Sequence, residues 1–286
     1  MNTIIFPTDF SDASNNALEY AIALAAKNNQ TIHLVHTYEL IKRTGMLPSI
    51  EHHVLKLANK DMGSLIMKMN EKYPEIAFTF SIHRTSVAKG VALEAKKKNA
   101  SLVVMGTHGT SAFKEIFLGS NAIEVMNNSL IPVLLVPYNE LFDGLQTILL
   151  TLDDVKSSTK ENLEALKQIA KLYRAEIIAL HVETNPQKPT AKEYLDLLAE
   201  VFDPGTVGFY EIIGENVEQI IENFAEEIEA DIICTLKRNR GFLSELIRKS
   251  TSKQMIYQYQ YPLLVLNENV VSTSNQLESE RNISAK

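Results

Sequence analysis

TIIFPTDFSDASNNALEYAIALAAKNNQTIHLVHTYE, residues 3–39, reads as strand, helix, strand. TIIFPTD (3–9) is an apolar run that ends in an acid, Asp9. SNNALEYAIALAAKNN (14–29) places apolar residues at three- and four-residue steps, the period of an amphipathic helix. TIHLVHTYE (31–39) is a second strand-like run. A strand followed by a helix and another strand in close succession implies a parallel pair joined by a crossover.

The same order returns in the second half of the chain. TILLTLD (147–153) again ends in an acid, TKENLEALKQIAKLY (159–173) again has a helical period, and EIIALHVET (176–184) again follows. His36 and His181 occupy the same place in the two copies. FTFSIHR (78–84) matches VGFYEII (207–213), helices are expected at 87–98 and 217–229, and strands at 101–105 and 231–235. Each copy closes on an apolar run, IPVLLVP (131–137) and YPLLVL (261–266). Each half therefore reads βαβαβαβαβ. Its strands are near-continuous apolar runs, as expected where helices cover both faces of a sheet. The expected domains are residues 1–140 and 144–267, joined by the short polar stretch YNELFDG, with 268–286 a polar tail expected to be disordered.

Composition narrows the functional classes. The chain has 286 residues and a net charge of −7, which argues against a general nucleic-acid binder. No apolar run approaches the length of a membrane span, and the opening MNTIIFPTDF lacks a signal-peptide pattern. The single cysteine, Cys234, lies in the apolar run DIICTL and reads as a core thiol. A cytoplasmic protein, without membrane or nucleic-acid partners, is the expectation. His52 and His53 are neighbours on an expected helix, so they do not share a face and read as solvent-facing.

MGTHGTSAFKEIFLGSNA, residues 105–122, carries the functional signal. Gly106, Gly109 and Gly119 are spaced G-x2-G-x9-G, Ser120 follows, a strand leads in and a helix leads out. Glycine lets backbone approach a ligand closely, and the free amides of a helix start attract an anion. Ser120 suits an N-cap. Asp9, followed by Ser11 and Asp12, either caps the first helix or meets a ligand. His108 is either a surface residue or part of the site. Lys114 and Glu115 read as a solvated face, with Lys114 also able to approach a phosphate.

These residues together resemble the universal stress protein family in its tandem two-domain form. The resemblance is carried by IIFPTDFSDASNNALEYA, IHLVHT and MGTHGTSAFKEIFLGSNA, and residues 106–120 satisfy the G-x2-G-x9-G-[ST] pattern of the family's ATP-binding branch. It implies two tandem open parallel five-stranded α/β sheets of the adenine nucleotide alpha hydrolase-like, Rossmann-like kind, paired through their last strands as an intramolecular pseudo-dimer. It implies ATP, with Mg²⁺ as a companion ion, bound in the first domain. The implied contacts are Pro7, Thr8 and Asp9 at the end of the first strand and Thr37 at the base pocket. Met105, Gly106, His108 and Gly109 would flank ribose and phosphates, and Gly119, Ser120, Asn121 and Ala122 would hold the phosphates.

The second half departs from this pattern. Leu236, Asn239 and Lys249 stand at the three glycine positions, and only Ser250 survives, opposite Ser120. No ATP site is expected there. Lys237, Arg238, Arg240, Arg248 and Lys249 form a basic stretch that reads as solvated or as attracting another anion. Three functions stay open at this point. One is an ATP-binding regulatory module with at most slow hydrolysis. Another is an interaction scaffold. The last is an adenylating enzyme of the ATP-pyrophosphatase-like group, although SGGxDS of that group is replaced here by PTDFSD. No catalytic residue is assigned.

Overall fold

The computed structural model describes residues 3–39, 48–107, 119–138, 140–153, 160–184, 191–237 and 261–267. They form two compact units, one of residues 1–129 with 136–142, the other of residues 130–135 with 143–286.

In the first unit the order is β1 (Thr3–Pro7), α1 (Asp12–Ala26), β2 (Thr31–Thr37), α2 (Pro48–Lys72), β3 (Phe78–His83), α3 (Val87–Lys97), β4 (Leu102–Gly106) and α4 (Ser120–Asn128). The strands lie β3-β2-β1-β4, all parallel. The chain thus builds outward from β1 in one direction through β2 and β3, then returns to β1's other side with β4. Ile4, Ile5 and Phe6 of β1 are fully buried, because helices cover both faces of the sheet. At the edge, β3 is half-exposed.

The second unit repeats this plan with β6 (Thr147–Leu152), α5 (Lys160–Tyr173), β7 (Glu176–Glu183), α6 (Ala191–Val201), β8 (Val207–Ile213), α7 (Val217–Glu227), β9 (Ile232–Lys237) and β10 (Leu263–Asn267). Its parallel order is β10-β9-β6-β7-β8. Strand β5 (Val133–Val136) runs antiparallel to β10, with Leu135, Leu134 and Val133 opposite Leu263, Leu264 and Val265.

Helix ends are built alike in both units. After α1, α3, α5 and α7 comes one residue in the left-handed region: Asn29 (φ 52°), Asn99 (48°), Arg174 (58°) and Glu229 (50°). The next N–H then reaches back to Ala25, Ala95, Ala170 or Ala225, at 2.8–3.0 Å, and satisfies an orphan carbonyl. The chain leaves each helix at a fixed angle into the following strand.

The first unit also contains a buried polar cluster. Glu94 on α3 is fully buried and faces His33 Nε2 at 3.0 Å and His83 Nε2 at 3.1 Å. His33 Nδ1 bonds Thr79 Oγ1 at 2.7 Å. Burial, reinforced by the Lys98 charge, pushes His33 down to about 4 despite Glu94. Burial pushes the Glu94 carboxyl up, but the charges of His33 and Lys97 and the donors around it outweigh this, and the net shift is downward. In the second unit, Cys234 is buried as its apolar context requires, and burial pushes its thiol up.

Candidate functional site

In an open parallel sheet, a crevice forms beyond the strand ends where the order reverses. In the first unit that place is between β1 and β4, which are in register at Ile4–Leu102 and Ile5–Val103. The ends of these strands carry Pro7, Thr8 and Asp9 on one side and Met105, Gly106 and Thr107 on the other.

The end of β1 is shaped by a small hydrogen-bonded turn. The Thr8 N–H donates to the Val35 carbonyl at 2.9 Å, keeping Thr8 on the sheet. Its hydroxyl, buried, accepts from Phe10 N–H and from Ser14 Oγ, both at 3.1 Å. Asp9 is exposed, and its Oδ1 accepts from the Ser11 N–H at 3.0 Å and the Ser11 hydroxyl at 2.6 Å. Ser11, not Asp9, is the N-cap of α1, accepting the Ser14 N–H at 3.1 Å. Asp9 therefore orients the cap rather than being it.

Phe10 adopts φ 62°, a region that a bulky side chain rarely occupies, and strain of this kind concentrates at functional sites. Its ring lies 4.6 Å from that of His36, whose Nδ1–H donates to the Thr8 carbonyl at 2.9 Å. Sequence reasoning did not place Phe10 or His36 at the site. The signal was there in the recurrence of a histidine at position 181, which donates to the Leu152 carbonyl in the same way at 2.8 Å.

The end of β4 meets the start of α4. Thr107, almost fully buried, donates its N–H to Val136, and its carbonyl accepts the Gly119 N–H at 2.7 Å. This bond brings the two flanks of the glycine-containing segment together. Gly119 has φ −60° and ψ 146° and is the N-cap; Ser120 is the first helical residue. The expected capping role of Ser120 is thus corrected. Gly119 takes that place because its own N–H is held by Thr107. Ser120, Asn121 and Ala122 occupy the first turn, where amides lack intrahelical acceptors. Ser120 and Asn121 are exposed and Ala122 is buried. His108 and Gly109 lie outside the described residues.

Thr37 closes β2, in register with His83. Its methyl group packs on α3 at Gly90: a Cβ placed on Gly90 would stand 2.6 Å from Thr37 Cγ2. Glycine there allows the helix to sit close to the strand end. Pro7, Thr8, Asp9, Met105, Gly106, Gly119, Ser120, Asn121 and Ala122 thus lie on β1, β4, α4 and their adjoining turns, while Thr37 sits one strand away on β2. Met105 is 6 % exposed, in keeping with a wall residue.

In the second unit, Leu236 is buried on β9 where Gly106 stands on β4. Asp153, like Asp9, follows the first strand and is exposed. Asn239, Lys249 and Ser250 lie outside the described residues, as do Arg238, Arg240 and Arg248; the Lys237 side chain is likewise not described. On α2, His52 and His53 are both exposed. Among the described residues, no helix is long and apolar enough to cross a membrane.

The family model that matches is "Universal stress protein family", over residues 1–137. Universal stress protein MJ0531 of Methanocaldococcus jannaschii is 31% identical over 138 residues, which span 46% of this chain and 80% of that one. Universal stress protein YxiE of Bacillus subtilis is 30% identical over 146 residues, 47% of this chain and 98% of that one. Across both halves, the fold is similar to a crystal structure of a universal stress protein from Archaeoglobus fulgidus, with TM-score 0.69, 22% identity, and coverage of 93% of this chain and 98% of that chain. The strand ends, the glycine-flanked helix start and these likenesses converge, and the chain belongs to the universal stress protein family.

Proposed function

We propose that the first unit binds an adenine nucleotide, ATP in the first place, and that the protein acts as a nucleotide-responsive regulatory module. The observation that carries this reading is the Thr107–Gly119 bond, which sets the first-turn amides of α4 at the end of β4, beside the β1 end that carries Asp9. Three successive amides at a helix start suit a phosphate group. Asp9 suits a hydroxyl donor of the nucleoside, and Thr37 with Met105 suits the base and ribose. Mg²⁺ would arrive on the phosphates, as it does where few carboxylates are supplied. Hydrolysis is at most slow.

The test is calorimetric titration of ATP into purified protein, together with mass spectrometry of the small molecule released on denaturation. Saturable binding of one nucleotide per chain supports the reading. No binding at millimolar ATP rejects it and favours an interaction scaffold. Rapid turnover with a second substrate favours an adenylating enzyme.

We also propose that the second half is retained because its last strand gives β5 a partner. An apolar strand such as VLLV, left with an open edge, invites association. Deleting residues 144–286 should give a dimer or an aggregate by light scattering, and a well-behaved monomer would reject this role.

A further inference from the structure

We propose that the second unit carries a binding site for a divalent first-row transition ion, held by His181, Glu183 and Glu211. The strand pattern assembles it. His181 and Glu183 are two residues apart on β7 and so share a face, and Glu211 on β8 is the registered neighbour of His181. One ligand atom from each residue lies within 4.8 Å of the other two. His181 and Glu183 are buried, at 6 % and 8 % exposure, and Glu211 is exposed. The site therefore has a buried inner pair and an exposed outer carboxylate on the side from which an ion can enter.

The His181 ring is held in place from its other nitrogen. His181 Nδ1–H donates to the Leu152 carbonyl at 2.8 Å. In the neutral ring this leaves the lone pair on Nε2, the arrangement that metal-bound histidines adopt. Nε2 stands 3.5 Å from Glu183 Oε2. That is longer than the usual 2.7–2.9 Å of an imidazolium–carboxylate bond. It agrees with the edge of a tetrahedron of about 3.3–3.6 Å that ligand bonds near 2.0–2.2 Å generate. A cation placed between Nε2 and Oε2 would draw on both atoms.

The surroundings are acidic. Tyr194, fully buried, lays its ring 4.6 Å from that of His181. Asp153 and Glu193 add their negative charges to those of Glu183 and Glu211 around this ring. One imidazole with two carboxylates suits Zn²⁺ or Mn²⁺ better than Mg²⁺, which prefers all-oxygen octahedra rich in water. In the first unit, Tyr38 and Ile82 occupy the places of Glu183 and Glu211 around His36. The carboxylates are thus particular to the half that lacks the glycines.

The experiment uses the full chain, stripped with chelator and free of nucleotide. The chain and a Glu183→Gln/Glu211→Gln variant are dialysed against Zn²⁺ and their metal content is measured by mass spectrometry. Both substitutions keep side-chain shape, and circular dichroism checks that the fold persists. The expected result is one more Zn²⁺ retained per wild-type chain than per variant chain, with affinity at least about 100-fold weaker in the variant. Millimolar Mg²⁺ should not displace the ion. Equal zinc retention by the two proteins, or none by the wild type, overturns the proposal, and would leave His181 and Glu183 as an ion pair.

Discussion

The two halves of this chain share a frame and differ in what they place on it. His36 and His181 both donate Nδ1–H to the carbonyl at the end of the first strand, and both stack on an aromatic ring, Phe10 in one case and Tyr194 in the other. Gly106 becomes Leu236, while Tyr38 and Ile82 become Glu183 and Glu211. Deeper in, the contrast reverses. His33, Glu94 and His83 in the first unit correspond in the repeat to Ile178, Phe224 and Ile212, which pack together in an apolar cluster. Positions that shape the backbone are kept in both halves. Positions at the strand ends and in the space between helix and sheet have been exchanged.

The largest effect that can break this comparison is at the glycine loop. Gly119→Val puts a β-branched side chain at the N-cap, and should weaken nucleotide binding by about 100-fold or more, near 3 kcal/mol, in a calorimetric titration. Leu236→Gly in the second unit should create no nucleotide site, because one glycine does not restore the other two. Normal ATP affinity in Gly119→Val would remove the functional contrast between the halves.

Next in size is the buried cluster. Glu94→Ala leaves the buried His33 and the half-buried His83 without their carboxylate and should destabilise the protein by about 3 kcal/mol in urea unfolding. Importing the apolar solution of the second unit, His33→Ile with Glu94→Phe and His83→Ile, should instead be neutral or stabilising by about 1–4 kcal/mol, since a well-packed apolar core can replace a buried ionic one. A triple variant less stable than Glu94→Ala would show that the two cores are not interchangeable.

The same cluster predicts a pH dependence. His33 falls to about 4 in the folded chain, below its ordinary 6.5, so the unfolded chain binds more protons between these values. Stability conferred by keeping His33 neutral is complete above pH 6.5 and declines as pH falls toward 4. The lowered Glu94 carboxyl acts in the same direction at the acid end. Thermal midpoints between pH 7 and 4 should therefore drop more steeply in the wild type than in the triple variant; parallel curves would count against the cluster as the source.

The smallest effect concerns helix ends. The first unit uses Asn29 and Asn99 in left-handed backbone, whereas the second uses Arg174 and Glu229. Asparagine tolerates that conformation better, so Arg174→Asn should raise stability by about 0.5–1 kcal/mol by chemical unfolding. A loss of stability would mean that the arginine side chain compensates through its contacts.

Much of the fold was legible because it depends on local patterns. Apolar runs such as TIIFP and TILLTL and the helical period of 14–29 each report their own element, and the repeat reports that the order occurs twice. The capping of α4 was misjudged because serine is favoured at an N-cap, while the competing Gly119–Thr107 bond joins residues separated by the intervening segment. Glu94 lies in VAKGVALEAKK, which gives no hint of a buried charge. Its partners arrive from β2 and β3 through strand register. Glu211 meets His181 for the same reason. Side chains brought together by pairing between strands leave no periodic trace along the chain.

The Thr107–Gly119 bond has one more consequence. It clamps both stems of the intervening stretch, so the entropic cost of changing that stretch's length grows only logarithmically. Residues inserted or removed between the stems leave α4 beginning where this bond holds it. Change in the length of that segment is thus separated from the placement of the helix start.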